Sequence, residues 1–225
     1  TKEERARLQK AFGYTYEDFR TSILPMALNG SESIGAMGID TPLAVLSNRH
    51  QPLFNYFKQL FAQVTNPPID SIREKIVTST TVYLGKDGNI LEEQPENCKN
   101  LKINNPILTN TDLLKIKNMK VEGFKVETIP ITYYKNTSLE KAIDHLFVEV
   151  DRAHREGTNI VILSDRGVDE NHVAIPSLLA VGAVQHYLVQ TKKRTSMAVI
   201  LESGEPRDVH HFATLLGYGA SAINP

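Results

Sequence analysis

The sequence predicts an α/β fold in which parallel β/α units follow a helical N-terminal segment. Two continuous apolar runs, residues 160–163 and 197–201, have the length of strands that are buried on both faces of a sheet. Helical patterns precede, separate and follow these runs, and the connections between them are short. Strands that alternate with helices in this way form parallel βαβ units.

We expect three segments along the 225 residues. Residues 1–76 are predicted to form the helical N-terminal segment, residues 77–135 an irregular excursion of strands and loops, and residues 136–225 the parallel β/α core. The division follows the change from helical periodicity, through short alternating runs, to apolar runs typical of buried strands.

In the first segment, helical spacing predicts helices over residues 2–12, 16–27 and 53–63. Gly30 supplies a stop signal after the second helix, and phenylalanines lie along one stripe of the third. A shorter helical stretch is expected in residues 69–76.

The middle segment is less regular than the first. Residues 80–84 predict a strand, and residues 86–91 predict a hairpin turn that leads into a returning strand. Residues 92–111 are polar and predict an exposed excursion. Residues 124–134 alternate well enough for a further strand, which Pro130 interrupts.

In the β/α core, Ser138 is a candidate N-cap for a helix that runs to Gly157. Pro176 begins a second helix that is apolar nearly all round, and a third helix covers residues 208–216. Residues 220–225 then predict a short buried strand. Since no covering helix follows it, we expect this strand to leave apolar surface open and the chain to be a segment of a longer polypeptide. The alternative is a natural, frayed chain terminus.

Charge and composition exclude several classes of function. Lys and Arg total 25 against 26 Asp and Glu, a net charge of −1, whereas a nucleic-acid surface needs a basic excess. No apolar run approaches the ~18 residues that a membrane span requires. A single cysteine, Cys98, excludes an internal disulfide and a cysteine-ligated zinc or iron–sulfur site held by this chain alone. We expect a soluble, cytoplasmic protein that binds neither nucleic acid nor membrane.

Polar side chains follow both predicted buried strands. Asp165 and Arg166 come after the first strand, and Glu202 follows the second. Because chemistry in parallel β/α folds gathers at the carboxyl ends of strands, these three residues are candidates for binding a polar substrate or a neighbouring domain. The alternative is that they cap the local turns and pair locally.

Other patterns of catalytic residues are missing from the sequence. The glycines fit neither phosphate-binding motif, and Glu202 and Glu205 flank Gly204, where they would repel a flavin phosphate. The seven histidines show no metal-ligand spacing, no serine lies in a nucleophile elbow, and Cys98 has no neighbouring base. The sequence therefore predicts no catalytic, cofactor-binding or metal-binding residue.

The loop at residues 65–68 has a different character. Pro67 and Pro68 stiffen it, while Thr65 and Asn66 offer an uncharged hydroxyl and an uncharged carboxamide. Such a loop can present neutral hydrogen-bonding groups at a fixed place. The alternative is a turn that merely ends the preceding helix.

Several long stretches of the sequence resemble the central domain of the glutamate synthase large subunit. They are residues 14–18 (YTYED), 25–27 (PMA), 36–47 (AMGIDTPLAVLS), 63–70 (QVTNPPID), 162–166 (ILSDR), 175–180 (IPSLLA) and 202–220 (ESGEPRDVHHFATLLGYGA). These stretches span nearly the whole chain, with residues 85–120 as the weakest part of the resemblance.

The resemblance implies a barrel-related fold, here an incomplete TIM-barrel-like domain. It also implies a multidomain enzyme that converts glutamine and 2-oxoglutarate into two glutamate molecules, with FMN and an iron–sulfur cluster in the parent enzyme and none in this segment. The implied partners are the amidotransferase and FMN-binding domains of the same chain, and a small electron-donating subunit or ferredoxin. The central domain would link those two domains and help to wall the ammonia channel.

A passage for ammonia must present neutral groups, because carboxylates would trap the molecule as ammonium. Thr65 and Asn66 are therefore our candidates for lining the channel, and we expect the isolated domain to be inactive. Two alternatives stay open. One is an independent β/α enzyme that uses Asp165, Arg166 and Glu202 on a small polar substrate. The other is an interaction module whose open β/α edge docks other domains or forms a homodimer.

Overall fold

The computed structural model describes residues 1–33, 45–58, 68–89 and 91–225. Within these ranges the α-helices are α1 (Lys2–Ala11), α2 (Leu24–Asn29), α3 (Glu74–Val77), α4 (Asn110–Lys117), α5 (Leu139–Arg155), α6 (Ser177–Gln190) and α7 (Val209–Gly217). The strands are β1 (Val82–Leu84), β2 (Leu101–Ile103), β3 (Val126–Pro130), β4 (Thr132–Tyr134), β5 (Ile160–Ser164), β6 (His172–Ala174), β7 (Ala198–Glu202) and β8 (Ala222–Asn224). None of these helices has both the length and the apolar composition needed to cross a membrane.

The helical N-terminal segment begins as the sequence predicts. Thr1 caps α1 by accepting a hydrogen bond from the backbone of Glu4, whose side chain accepts one from the backbone of Thr1 and completes a capping box. A π-helical turn, Asp18–Ile23, leads into α2, which ends at Gly30 in the left-handed conformation with φ of 63°. The predictions of the first two helices are therefore confirmed in outline.

The predicted third helix of this segment is wrong in form. Leu53–Phe57 is a 3-10 turn that stops at Lys58, where the backbone is extended. The carbonyl of Phe54 is hydrogen-bonded to His210 Nε2 at 3.0 Å, which ties this turn to α7. Residues 59–63, the remainder of that prediction, lie outside the described residues.

A four-stranded parallel sheet lies at the centre of the described part of the chain, in the order β3-β5-β7-β8. Its strands follow one another in chain order, and the connecting helices α5, α6 and α7 pack into one core on the same face. This sequential winding is that of a β/α barrel, because a doubly wound sheet reverses its strand order and has helices on both faces. The fold is therefore α/β and corresponds to part of a β/α barrel, as predicted.

Two apolar cores lie on opposite faces of this sheet, because successive strand residues point in opposite directions. Leu163 and Leu201 pack against α5, α6 and α7, whereas Ile162 and Ile200 pack against α4 and the β1–β2 pair. Every residue of β5 and β7 is buried, which confirms the predicted doubly buried strands. The face that would line the inside of a complete barrel is thus covered by α4 and β1–β2.

The parallel sheet begins earlier in the chain than the sequence predicts. β3 pairs in parallel with β5, although its residues fall in the segment 77–135 that was predicted to be an irregular excursion. Pro130 is tolerated there because β3 is an edge strand of the sheet and Pro130 is its last residue. The single strand predicted over residues 124–134 is in fact two strands, since β4 pairs antiparallel with β6 instead.

The predicted hairpin turn at residues 86–89 is wrong, and Ile90, at the start of the predicted returning strand, lies outside the described residues. β1 pairs antiparallel with β2, which lies within the stretch 92–111 that was expected to be exposed. Leu84 is fully buried, and Leu108 is 5% exposed. These residues share the core on the α4 face of the sheet, so tertiary packing supplies a burial that the asparagine-rich composition of the stretch does not indicate.

The expectation of an open apolar surface at β8 is also wrong. The N–H of Ile223 donates to the carbonyl of Pro106, and its carbonyl accepts from the N–H of Leu108, both at 2.7 Å. Ile107 forms a parallel bridge with Ile223, and all of β8 is buried. The outer edge of the last strand is therefore occupied by residues 106–108.

Candidate functional site

A polar row closes the carboxyl ends of the sheet, where Ser164, Glu202 and Asn224 lie side by side in the parallel register. Glu202 is 4% exposed. Its Oε2 accepts from Ser164 Oγ at 2.6 Å and from Lys117 Nζ at 2.8 Å, and its Oε1 accepts from Arg166 Nε at 2.6 Å. The buried carboxylate is thus held by α4, by β5 and by the loop after β5.

The electrostatics of Glu202 are those of a paired, buried ion. Burial on its own would raise the pKa of this carboxyl, but the hydrogen bonds from Lys117, Ser164 and Arg166 outweigh burial and lower it. The group is ionised at neutral pH, and both oxygens are already engaged. Glu202 therefore fits a structural ion pair better than a general acid or base.

Asp165 follows β5 and has different partners from Glu202. It is 5% exposed, and its Oδ1 accepts from the backbone N–H of Gly204 at 3.3 Å. Within the described ranges, no cationic side chain forms an ion pair with it. Burial, aided by the charges of Glu205 and Glu202, raises the pKa of Asp165 to about 6.

A cleft of about 750 Å³ opens above these strand ends, and we call it the strand-end cleft. One side is formed by Asp165, Arg166 and residues 202–204 at the carboxyl edge of the sheet. The other side is formed by α1 and the residues after it, through Leu8 and Phe12 among others. The volume lies within the range of small-molecule sites in proteins.

The N-terminal segment is fastened over the strand-end cleft by Tyr14 and Arg207. The Tyr14 hydroxyl donates to the carbonyl of Gly204 at 2.8 Å, and the buried guanidinium of Arg207 donates to the carbonyls of Phe12 and Gly13 at 3.0 and 3.3 Å. This guanidinium also lies 4.2 Å from the centroid of the Tyr14 ring. None of the residues of α1, which the structure describes in full, is buried, so its attachment depends largely on these contacts.

The backbone of Arg207 makes a second buried polar contact, with the ring of His211. The ring of His211 stacks on Phe54 with centroids 4.3 Å apart, and its Nδ1 accepts from the backbone N–H of Arg207 at 3.3 Å. Burial, together with the charges of Arg207, His210 and Lys58, lowers the pKa of His211 to about 4. The imidazole is therefore neutral at physiological pH and packs Phe54 against α7.

The structure brings Asp165, Arg166 and Glu202 to one edge of the sheet, where the sequence places them. Local pairing, which the sequence analysis offered as the alternative, describes Arg166 and Glu202. The channel candidates Thr65 and Asn66 lie outside the described residues, and their role stays a prediction.

Sequence reasoning missed Lys117, Tyr14 and Arg207. Lys117 contacts Glu202 across 85 residues of chain, and Tyr14 contacts Gly204 across 190. Contacts at such separations leave no periodicity in the sequence. The available signal was that Tyr14 and Arg207 both lie in stretches that carry the family resemblance.

The arrangement lacks the parts of a nucleophilic site. Ser164 donates to the paired carboxylate of Glu202 and not to a histidine base, and Cys98 is an exposed thiol. In the part of the chain that the structure describes, no three His, Cys, Asp or Glu side chains are grouped for a metal ion. The strand-end residues are suited to holding the domain together or to binding a polar molecule.

The fold and the site define a partial β/α-barrel domain in which the buried Glu202 is paired within the domain, while the buried Asp165 has no ion-pair partner among the described residues. A family model described as the glutamate synthase central domain matches residues 7–225. The chain belongs to this family, which confirms the resemblance seen in the sequence.

Several curated relatives are glutamate synthases. The chain is 46% identical over 217 residues to the glutamate synthase [NADPH] large chain of Bacillus subtilis and 46% identical over 220 residues to the glutamate synthase [NADH] of Schizosaccharomyces pombe. It is 44% identical over 221 residues to ferredoxin-dependent glutamate synthase 2 of Synechocystis. Each match covers 96% of this chain but only 14%, 10% and 14% of the respective relatives.

Proposed function

We propose that this domain is a non-catalytic part of a glutamate synthase, which converts glutamine and 2-oxoglutarate into two glutamate molecules. In this role it links an amidotransferase domain to an FMN-binding domain and helps to wall the ammonia channel between them. Membership of the glutamate synthase central domain family carries the proposal. The names of the relatives, which include NADPH, NADH and ferredoxin-dependent glutamate synthases, support it.

The strand-end cluster supports a role without chemistry of its own. In β/α barrels the catalytic groups project from the carboxyl ends of the strands. At that edge Glu202 is paired with Lys117 and Arg166, and Tyr14 fastens the N-terminal segment to the neighbouring turn. Glu202 and Tyr14 are therefore engaged in holding the domain together, whereas Asp165 and Arg166 keep the capacity to bind a polar molecule.

The residues of this chain do not fit either cofactor of the proposed parent enzyme. Cys98 is the single cysteine, whereas iron–sulfur clusters are held by several cysteine ligands. The turn at Gly204 lies between Glu202 and Glu205, whose charges oppose a flavin phosphate. We therefore assign FMN and the iron–sulfur cluster to other parts of the parent polypeptide.

The partners of the proposed enzyme follow from the same reasoning. The amidotransferase and FMN-binding domains of the same polypeptide are proposed as the neighbours of this domain. A small electron-donating subunit or ferredoxin is proposed as a partner of the whole enzyme, since the names of the relatives differ in their electron donor. The cytoplasmic location stays a prediction.

The two alternative functions have less support. The interaction-module hypothesis requires an open edge on the last strand, but residues 106–108 occupy that edge. The independent-enzyme hypothesis requires Asp165, Arg166 and Glu202 to act together on a substrate, but both carboxylate oxygens of Glu202 are already engaged by Lys117, Ser164 and Arg166.

A double substitution, Thr65→Val with Asn66→Leu, tests the proposed wall of the ammonia channel in the full-length enzyme. Both replacements keep the approximate size of the side chain and remove its hydrogen-bonding groups. If these groups line the passage, ammonia should leak, and glutamine hydrolysis should exceed the formation of glutamate from 2-oxoglutarate. Free ammonia released per glutamine hydrolysed is the quantity to measure.

Asn136 and Thr137, which are exposed and adjacent to each other in the chain, provide a matched control. The pair Asn136→Leu with Thr137→Val makes the same chemical changes in the loop between β4 and α5, and coupling should stay intact. If the Thr65 and Asn66 variant is as tightly coupled as this control, these two residues do not line the channel.

A further inference from the structure

We propose that the strand-end cleft binds a small α-amino acid in its zwitterionic form, with the ammonium group near Asp165 and Asn224 and the carboxylate on Arg166. This binding site does not depend on the proposed function. Within the described residues, the evidence is a buried carboxylate without a cationic partner, a buried amide oxygen without a donor, an arginine with free donor atoms, and a balanced charge around the cleft.

The ammonium end is indicated by Asp165, a buried carboxylate without a cation. No Lys, Arg or His pairs with it within the described residues, and the residues outside those ranges include no Lys, Arg or His. A buried ionised carboxylate without a counter-charge is costly. A bound ammonium group in the cleft would supply that charge together with N–H donors.

A second acceptor in the same cleft points to the same kind of group. Asn224 lines the cleft and is 1% exposed. Its Nδ2 donates to the carbonyl of Leu108 at 2.9 Å and to Asn110 Oδ1 at 3.1 Å, which fixes the orientation of the carboxamide. Its Oδ1 has no hydrogen-bond partner among the described residues. Buried oxygens without a donor are rare in proteins, and a ligand N–H satisfies such an atom.

The carboxylate end is indicated by Arg166. Its Nε donates to Glu202, while Nη1 and Nη2 make no hydrogen bond to any described residue. The side chain is 66% exposed and lines the cleft. A guanidinium with two free, parallel donor nitrogens is the preferred protein group for binding a carboxylate.

The remaining residues around the cleft favour a zwitterion of zero net charge over a ligand that carries a net charge. The described residues around the cleft include three carboxyl side chains, Glu4, Asp165 and Glu202, and three arginines, Arg5, Arg7 and Arg166. These charges balance, so the cleft does not select a ligand of net charge. Leu8, Phe12 and Val168 supply apolar walls for an aliphatic side chain.

Binding can be tested by NMR on the 225-residue chain, with three ligands that share one alkyl chain. L-Norvaline carries both charged groups, butylamine carries only the ammonium, and pentanoate carries only the carboxylate. We expect L-norvaline to shift the amide resonances of Asp165, Gly167 and Gly204 in a saturable way, with a dissociation constant of the order of 1 mM. Butylamine and pentanoate should each bind at least about tenfold more weakly.

Two variants and one control connect the signal to the proposed contacts. Asp165→Asn and Arg166→Gln should each weaken L-norvaline binding at least about tenfold, whereas Arg20→Gln, which changes an exposed arginine outside the cleft, should not. The proposal is overturned if L-norvaline causes no saturable shift or if either half-ligand binds as tightly. It is also overturned if Asp165→Asn and Arg166→Gln both bind like the unmodified chain.

Discussion

At the scale of single residues, the buried side chains of Asp165 and His211 respond to pH in opposite directions. The pKa of Asp165 is raised from 3.8 to about 6, so its contribution to stability is present at low pH and is lost as the pH rises through about 6. The pKa of His211 is lowered from 6.5 to about 4, so its contribution is present at neutral pH and is lost as the pH falls from 6.5 towards 4. Between pH 4 and 6 the two effects oppose each other.

Asp165→Asn should remove the pH dependence of stability that comes from Asp165 and leave that of His211. At pH 8 we expect the free energy of unfolding to rise by about 1 to 3 kcal/mol, because the buried charge has been removed. The gain should vanish near pH 4, where the folded protein already holds this carboxyl in its neutral form. Urea unfolding at a series of pH values measures the change in the free energy of unfolding both at pH 8 and near pH 4. A variant that is less stable than the unmodified protein at pH 8 would mean that the charge of Asp165 is compensated.

At the scale of elements, α1 is attached to the core by polar contacts and not by an apolar face. Tyr14 and Arg207 contact the chain on either side of the strand-end cleft, at Gly204 and at the carbonyls of Phe12 and Gly13. A segment held by a few hydrogen bonds opens more readily than one held by buried apolar area. The N-terminal segment should therefore be the first part of this carboxyl edge to detach.

Arg207→Ala should release this segment without unfolding the sheet. Loss of the guanidinium leaves the carbonyls of Phe12 and Gly13 without their donor, and the amides of α1 should exchange with solvent at least about tenfold faster. The amides of α5 should exchange at their original rate. Hydrogen exchange followed by mass spectrometry gives both rates, with Arg20→Ala as an exposed control. Equal exchange of α1 in the two variants would show that other contacts hold it.

The individual helices and strands differ in how far they can be predicted from the sequence. The strands β5 and β7 and the helix α5 are predictable because each carries a complete local pattern, including the N-cap Ser138 and the terminal Gly157. β3 is only partly buried at the edge of the sheet, and β2 gains its burial from α4 and β1. A strand within residues 124–134 is predictable from alternation, but its division into β3 and β4, the parallel pairing of β3 and the existence of β2 depend on tertiary contacts.

The residues of the candidate site also differ in how far the sequence predicts them. Asp165, Arg166 and Glu202 could be predicted as neighbours because parallel strands bring their carboxyl ends together. Lys117 and Tyr14 belong to elements outside the β/α series, and their positions depend on how those elements pack. The location of Glu202 can therefore be predicted from the sequence, whereas its pairing with Lys117 cannot.

At the scale of the whole molecule, the surfaces of the partial barrel are covered by elements of the same chain. α4 and the β1–β2 pair cover the face opposite the connecting helices, and residues 106–108 occupy the outer edge of β8. The N-terminal segment lies over the carboxyl edge. This arrangement fits the proposed function, in which the domain supports and shapes its surroundings and its carboxyl edge carries out no chemistry.

The most direct test of that claim is the rate of glutamate formation by the full-length enzyme with Glu202→Gln. The substitution removes the charge of the best-placed carboxylate with little change of shape. If Glu202 is structural, kcat should stay within about twofold of the unmodified enzyme, while stability falls by about 2 kcal/mol through weakened hydrogen bonds to Lys117 and Arg166. A loss of about a hundredfold or more in kcat with an unchanged melting temperature would instead identify Glu202 as a catalytic acid or base and contradict the account.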